Sequence, residues 1–555
     1  MATARTRMMT TGMAALAALA AAATPLLPGT ASAAVAARTL YVSATGNDAA
    51  DGLSAATAWR SVDRVTREVL APGDRALFQG GATFTGMLYL DAADAGDASR
   101  PVIIGSYGTG RATLASTGNS SIFVYDTAGL EVRNLVVKGN SAAYRSKGGI
   151  SFYNDLSGDR KLGHLVVTGV DVSGFKNGVE VGGGRGASGF ADVSISAATL
   201  HDNMETGFAT YGPAFNASAP TYAHQGVRVS GVAAYRNVGD PTNTWRNTGS
   251  GIILGSVRGG TIQRSRAYEN GSACTAPEGP VGIWAYDSDQ VLIQRNVSHH
   301  NRTGGPADGD GFDLDQNVSG STLQYNLSYG NDGAGYLVYT GKTNSAHRGN
   351  VVRFNLSSND ARKSAAYGGI TVWGQILNTE VYNNTVVMQP NASGRPAPLK
   401  LDGALSQVAV RNNIFLSDGA GPTVLSPNLG TGSVVLQGND YAATSATGWQ
   451  VLWGGKSYTS LSSWRSATKQ EYVGSQATGS AADPQLVDFR TALTVTDPAD
   501  TAGAKGLSLQ TTSPLLSSGL DLSSLFGVNA GPADYFRNAV SAGSSSDVGA
   551  HHPAM

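Results

Sequence analysis

The chain has 555 residues, of which 39 are Lys or Arg and 40 are Asp or Glu, so its formal net charge is −1. This balance excludes the basic surface that nucleic-acid binding requires. A single cysteine excludes a disulfide framework and a cysteine-rich zinc site. Glycine occurs 72 times, about twice its usual share, which indicates that the fold needs many tight turns.

The first 33 residues have the pattern of a secretory signal peptide. Arg5 and Arg7 precede an apolar, alanine-rich run, and the small residues Ala31-Ser32-Ala33 follow it. The apolar run is too short for a transmembrane helix. We therefore expect a secreted protein that is cleaved near Ala33 and has no membrane anchor.

An internal repeat dominates the next part of the chain. Short alternating segments such as STLQYNLSYGN and VVRFNLSSN align on one asparagine, with spacings of 30, 29, 29 and 29 residues. The aligned asparagines are Asn296, Asn326, Asn355, Asn384 and Asn413. A second register is predicted through Asn177, Asn203, Asn237, Asn270, Asn301, Asn331 and Asn359. Strands of this length with Asn and Gly at the corners predict an all-β solenoid whose coils stack on one another.

Both ends of the solenoid are predicted to differ from the coils. A strand and a short helix near 61–69, with Ser61 or Asp63 as its N-cap, would cover the first coil. We expect one domain over residues 34–552, with an N-terminal cap at about 38–110, about eleven coils at about 111–445 and a C-terminal segment at about 446–552.

The chain resembles secreted right-handed parallel β-helix proteins of the pectate-lyase-like superfamily. The resemblance lies in the opening YVSATGNDAADG, the PGDRALF turn, the Asn-cornered coils and the closing SP…DYFRN…DVGAH. It implies a right-handed parallel β-helix that acts on carbohydrate. Members of this superfamily include polysaccharide lyases, glycoside hydrolases and uronan epimerases, so the resemblance leaves the reaction open.

Strand alternation predicts which side chains face outward from one sheet. In GFDLD, Phe312 and Leu314 would point into the solenoid, and Asp313 and Asp315 would point out. Equivalent strands place further side chains on the same face, and we expect these to bind sugar rings or hydroxyls: Trp284, Tyr286, Tyr339, Trp373, Lys400 and Asp402. Flat aromatic faces beside two carboxylates predict a polysaccharide-binding groove.

The two carboxylates suggest glycosidic hydrolysis. Asp313 and Asp315 are two residues apart on one strand, or about 6.6 Å along it, and hydrolysis needs one carboxylic acid and one carboxylate. Asp315 would lie between Tyr286 and Tyr339, and partial desolvation there should raise its pKa. We therefore expect Asp315 to be the acid and Asp313 the base.

The segment DGDGFDLD also allows a calcium site, with Asp308 and Asp310 as oxygen ligands. It is similar to the acidic DDGWD segment of one pectate lyase family, in which Asp310 and Asp313 match the second and third acids. Gly309 replaces the first acid, and Leu337 stands where the resemblance places a catalytic lysine.

Three functions remain open from the sequence. The favoured one is a monomeric secreted glycoside hydrolase that acts on a polysaccharide. The second is a calcium-dependent lyase or epimerase that acts on a uronic-acid polymer, and the third is a glycan-binding solenoid without catalysis. The acidic outer face favours a neutral polysaccharide over a polyanion.

Overall fold

The computed structural model describes residues 36–553, except 119, 141–146, 342–345, 430–432, 446–447 and 541–545. The predicted signal peptide lies outside the described residues. From Ala37 onward the chain forms one compact unit. No helix among the described residues has the length and apolar character needed to cross a bilayer.

Three long parallel sheets form the sides of a solenoid of about thirteen turns, two more than the sequence predicted. Sheet I contains β1 (Thr39–Val42), β2 (Arg75–Gln79), β5 (Val102–Tyr107), β8 (Leu130–Arg133), β11 (Lys161–Thr168), β14 (Gly189–Ser196), β17 (His224–Ser230), β20 (Val257–Gln263), β23 (Asp289–Gln294), β26 (Thr322–Gln324), β29 (Val351–Arg353), β32 (Leu377–Tyr382), β35 (Ser406–Arg411) and β38 (Val434–Gln437).

Sheet II carries the predicted outward columns. It contains β4 (Leu88–Leu90), β7 (Ile122–Tyr125), β10 (Ile150–Asn154), β13 (Asn177–Gly183), β16 (Thr206–Tyr211), β19 (Ser250–Gly255), β22 (Val281–Tyr286), β25 (Asp310–Leu314), β28 (Tyr336–Thr340), β31 (Ile370–Gly374), β34 (Leu399–Gly403), β37 (Pro422–Ser426), β40 (Gln450–Trp453) and β41 (Lys456–Tyr458). The last pair, β40 and β41, is antiparallel.

Sheet III closes each coil. It contains β3 (Thr83–Thr85), β6 (Ala112–Ala115), β9 (Leu135–Lys138), β12 (Asp171–Ser173), β15 (Thr199–His201), β18 (Ala233–Tyr235), β21 (Arg266–Tyr268), β24 (Val297–His299), β27 (Leu327–Tyr329), β30 (Leu356–Ser358), β33 (Thr385–Met388), β36 (Ile414–Ser417) and β39 (Asp440–Ala443). A separate hairpin pairs β42 (Tyr472–Val473) with β43 (Gln476–Ala477).

Helices occur outside the coils. They are α1 (Val62–Thr66), α2 (Leu461–Thr468) and α3 (Leu522–Phe526), with 3₁₀ turns at Ala55–Thr57 and Ala502–Leu507. Ser61 caps α1 by accepting a hydrogen bond from the Arg64 amide, as the sequence suggested, but the helix is shorter than predicted. That α1 closes the end of the solenoid stays a prediction.

The core fills the inside of the coils because inward and outward residues alternate along each strand. Phe312 and Leu314 of β25 are fully buried, and the Phe312 ring stacks on Tyr336 of the next coil at 5.1 Å. The C-terminal segment packs outside sheet III, where Leu486, Val495 and Leu515 cover apolar side chains of that sheet.

The first asparagine ladder forms as predicted and extends one coil further, to Asn439. Each asparagine oxygen accepts hydrogen bonds from the backbone amide and the side-chain amide of the asparagine one coil earlier, at 2.9–3.1 Å. The ladder satisfies buried polar groups at the same corner of successive coils, which explains why the asparagine repeats.

The second ladder is correct at its centre but wrong at both ends. It runs from Asn203 through Asn237, Asn270, Asn301 and Asn331 to Asp360. Asn177 instead donates to Glu180, and Asn359 donates to Gln389. The final position needs only an acceptor, so the Asp360 carboxylate takes it.

Replacing Asn326 by alanine should lower the free energy of unfolding by about 3 kcal/mol or more. The fully buried Asn326 side chain makes four hydrogen bonds, so the change leaves amide and carbonyl groups of neighbouring coils unpaired. Chemical unfolding measures the loss, with the exposed Asn216→Ala as the matched control. Equal free energies of unfolding for the two variants would show that the asparagine ladder does not stabilise the fold.

Candidate functional site

Two adjoining clefts lie on the outer face of sheet II. Cleft 1 has a volume of about 470 Å³ and lies over β16, β19 and β22, whereas cleft 2, of about 170 Å³, lies over β25, β28 and β31. Both are lined by Asn247, Glu278, Trp284, Asp315 and Gln316. The walls come from the insertions at 240–251 and 270–281, which rise from the sheet III side of two coils.

The strand register brings the two predicted carboxylates to this face. Trp284, Asp313 and Leu337 are direct neighbours on three consecutive strands. Asp315 follows β25 directly, and its backbone amide donates to the Ala285 carbonyl at 3.0 Å. Asp313 lines cleft 2, and Asp315 lines both clefts.

Asp313 points away from the core but is far less accessible than an outward residue would suggest. Its exposed fraction is 3%, because the loop walls and neighbouring side chains cover it. Among the described residues, neither Asp313 Oδ1 nor Asp315 Oδ1 has a hydrogen-bond partner. Two carboxyl groups with unsatisfied buried oxygens are costly for the fold, which is typical of functional sites.

Burial perturbs both carboxyl groups in the same direction. Desolvation, followed by the charges of Asp315, Asp310 and Asp308, raises the pKa of Asp313 well above its usual value. Desolvation also raises the pKa of Asp315 to about 7, with further contributions from Asp308 and Glu278. The burial of Asp313 therefore favours its protonated form, and Asp315 is partly ionised near pH 7.

Asp308 and Asp310 accept hydrogen bonds from neighbouring loops. Asp308 accepts hydrogen bonds from the Tyr367 hydroxyl and the Gly279 amide, each at 2.7 Å, and so joins two loops. Asp310 is fully buried and accepts a hydrogen bond from the Ala334 amide. Described His, Cys, Asp and Glu side chains form no group of three or more arranged around a metal position. The calcium site stays a prediction without support from these contacts.

The aromatic residues differ in accessibility. Trp284 is only 4% exposed, because it packs in a small apolar cluster of side chains from neighbouring strands of sheet II, and its indole N–H donates to Ser250 Oγ at 3.2 Å. Trp373 is 36% exposed, and its ring lies edge-to-face with Tyr339 at 5.4 Å. Trp284 is therefore a largely buried residue of the lining of both clefts, and its role in sugar binding stays a prediction.

Glycines in the preceding coils make room for two tyrosine rings. A Cβ at Gly255 would lie 2.3–2.5 Å from ring atoms of Tyr286, and one at Gly182 would lie 2.4–2.7 Å from those of Tyr211. Each ring thus lies across a neighbouring strand where any larger residue would displace it. Tyr211 and Tyr286 are partly exposed and line cleft 1.

Cations are scarce around the carboxyl groups. Lys400 is 6% exposed, and its Nζ lies 3.7 Å from Asp402 Oδ2. Neither residue lines either cleft. Lys176 and Arg246 line cleft 1, but both form ion pairs with Glu205. The described lining of cleft 2 contains no Lys, Arg or His. The clefts therefore give no support to the predicted substrate-binding roles of Lys400 and Asp402, which stay predictions.

The sequence analysis did not identify several cleft residues on loops. Glu278, Tyr367 and Asn247 line the clefts but belong to segments outside the repeat. The only sequence signal was the length of the insertions, since strand alternation does not extend into irregular loops.

The comparison with known proteins agrees with this architecture. The family model described as "Right handed beta helix region" matches residues 120–355. The chain is a right-handed parallel β-helix protein. The predicted right-handed parallel β-helix fold is therefore confirmed. No curated protein matches this β-helix significantly in sequence.

Several solved structures are similar to this β-helix at low identity. The GH136 lacto-N-biosidase from Eubacterium ramulus has a TM-score of 0.51 and 18% identity, covering 72% of this chain and 67% of that one. Pectate lyase Pel9A has a TM-score of 0.42 and 17% identity, covering 93% and 96%. The A-module of mannuronan C-5 epimerase AlgE4 from Azotobacter vinelandii has a TM-score of 0.40 and 14% identity, covering 66% and 89%. At these identities the similarity concerns the fold.

Proposed function

We propose that the protein is a carbohydrate-active enzyme that hydrolyses glycosidic bonds of a neutral polysaccharide. The observation that carries this proposal is the pair Asp313 and Asp315, two adjacent carboxyl groups with raised pKa on the floor of an aromatic-lined cleft. Hydrolysis of a glycosidic bond requires one protonated and one ionised carboxyl group at the same place. The fold shared with a lacto-N-biosidase is compatible with this function.

The electrostatics favour Asp313 as the acid and Asp315 as the base, the reverse of the assignment expected from the sequence. The more deeply buried group keeps its proton to higher pH, and that group is Asp313. In the proposed reaction, Asp313 gives its proton to the departing glycosidic oxygen as the C–O bond breaks. Asp315 accepts a proton from the water whose oxygen bonds to the anomeric carbon.

Elimination receives less support than hydrolysis from the same contacts. A lyase acting on a uronic-acid polymer needs a base and positive charge near the uronate carboxylate. The neighbour of Asp313 on the following coil is Leu337, and the ion pairs of Lys176 and Arg246 with Glu205 neutralise the described cations of cleft 1. A neutral chain avoids repulsion by Asp315 and Glu278, which line both clefts.

The test is product analysis with neutral and uronic polysaccharides, in the presence of calcium and of EDTA. The proposal predicts new reducing ends from a neutral polymer, no ultraviolet absorbance of an unsaturated product, and equal rates with EDTA. Calcium-dependent absorbance with a uronic polymer would instead identify a lyase. Binding without any product would identify a glycan-binding solenoid.

Replacing Glu278 by glutamine should move the acidic limb of the pH–rate profile to lower pH. The Glu278 charge contributes to the raised pKa of Asp315, so its removal lets Asp315 ionise at lower pH and act as the base there. Initial rates across pH 4–9 measure the shift, with the exposed Glu269→Gln on the other side of the coil as the control. An unchanged limb would show that Asp315 ionisation does not set it.

Export of the enzyme is part of the proposal. Residues 1–33 have the signal-peptide pattern, and a polysaccharide too large to enter a cell requires an extracellular enzyme. N-terminal sequencing of protein recovered from the culture medium should give a start near Ala34. Light scattering of the same sample tests the expected monomer.

A further inference from the structure

An aromatic patch lies on sheet II, beyond the N-terminal end of cleft 1. It consists of Tyr89, Phe123, Tyr125 and Tyr153 on the consecutive strands β4, β7 and β10. Successive ring centroids are 6.0, 6.2 and 6.3 Å apart, and all four rings are partly exposed. Outward positions on a water-facing sheet are usually polar, so four rings in contact need a reason.

The patch occupies the same two outward columns as the proposed catalytic pair. The register aligns Tyr89 with Phe123 and Ser151 in the column that later contains Asp313. It aligns Tyr125 with Tyr153 and Gly182 in the column of Tyr211. A linear chain lying along the solenoid axis would therefore meet the patch and the clefts on one continuous face.

Polar groups lie beside the aromatic rings, as a sugar-binding surface requires. The Tyr125 hydroxyl donates to Asp155 Oδ1 at 2.8 Å, and the Asp155 amide donates to Asp126 Oδ1 at 2.9 Å. The Lys147 ammonium lies 5.9 Å from the Phe123 ring centroid. Flat apolar faces with a few polar groups suit the C–H faces and hydroxyls of sugars, and the two carboxylates disfavour a polyanion.

We propose that this patch is a second glycan-binding site, which holds a distant part of the same neutral polysaccharide that the clefts cleave. From β4 to β25 there are seven steps along sheet II, or about 34 Å at about 4.8 Å per coil. The near end of the patch, on β10, is five steps or about 24 Å from β25, so only a glycan of several sugar units can reach both sites at once. Simultaneous contact makes the second binding event intramolecular and raises the affinity for long chains. The inference rests on the proposed substrate class.

The experiment is affinity electrophoresis of the full chain in native gels that contain laminarin, xylan, galactomannan or polygalacturonate. The wild type should be retarded by at least one neutral polymer, and the double variant Tyr89→Ser/Phe123→Ser should bind that polymer about tenfold more weakly or worse. Tyr107→Ser is the matched control, because Tyr107 is a partly exposed tyrosine on β5 of sheet I. Thermal unfolding verifies that all variants are folded.

Each outcome decides the inference. Equal retardation of the wild type and the double variant, or no retardation of the wild type by any neutral polymer, overturns it. Light scattering that finds a dimer in the wild type and a monomer in the double variant would instead assign the patch to a second copy of the chain. The release of reducing ends by the wild type tests the proposed hydrolysis separately. Binding without turnover would therefore contradict the proposed reaction but support the patch as a glycan-binding site.

Discussion

Replacing Asp313 by asparagine is expected to lower kcat by a factor on the order of 10³, the usual contribution of a general acid. Asparagine keeps the shape of the side chain but has no acidic proton to give to the leaving oxygen. Asp313 is 3% exposed, and this burial raises its pKa well above the usual value, which favours the protonated form that the proposed acid needs. Steady-state rates on the polysaccharide identified in the product screen measure the loss.

A second set of rates separates this effect from a general loss of structure. Asp192→Asn is the control, since Asp192 lies on the outer side of sheet I, where it pairs with His164 and Arg228. A substrate whose leaving group needs no protonation should restore much of the activity of the Asp313 variant. Retention of more than about a tenth of wild-type kcat on the polysaccharide would contradict the assignment.

Replacing Asp315 by asparagine is expected to stabilise the protein at pH 8 relative to the wild type, although it removes the proposed base. The folded state raises the pKa of Asp315 from its ordinary value of 3.8 to about 7, so folding favours the protonated carboxyl group. This stabilisation is fully present below the unfolded pKa and is lost as pH rises through the folded pKa. The loss by pH 8 is on the order of 4 kcal/mol, and asparagine avoids it because it does not ionise.

The measurement is the difference in unfolding free energy between the variant and the wild type from pH 4 to pH 8. It should grow in favour of the variant as pH rises and level off above about 7. Asp63→Asn should give a difference with no such rise, because Asp63 is exposed and pairs with Arg67 and not with a histidine. A constant difference for Asp315→Asn over this range would show that the folded protein does not perturb the carboxyl group.

The repeating part of the fold was predictable because its physics is local. Strand alternation placed Phe312 and Leu314 inside and Asp313 outside, and the asparagine spacing identified the ladder through Asn326. The same argument failed at the ends of the second ladder. There Asp360 supplies the terminal acceptor, one residue after the predicted Asn359, because a carboxylate and an amide oxygen are equivalent acceptors.

The parallel solenoid, the outward columns of sheet II and the two carboxyl groups within them follow from the sequence, since a period of two along strands and a repeat near 30 residues dictate those positions. The environment of those carboxyl groups depends on how the chain folds around them. The path of the 240–251 and 270–281 insertions depends on contacts between distant coils, and these insertions bring Asn247 and Glu278 to the clefts. Burial raises the pKa of both carboxyl groups, and no sequence pattern reports the extent of this burial, because desolvation depends on what covers a side chain.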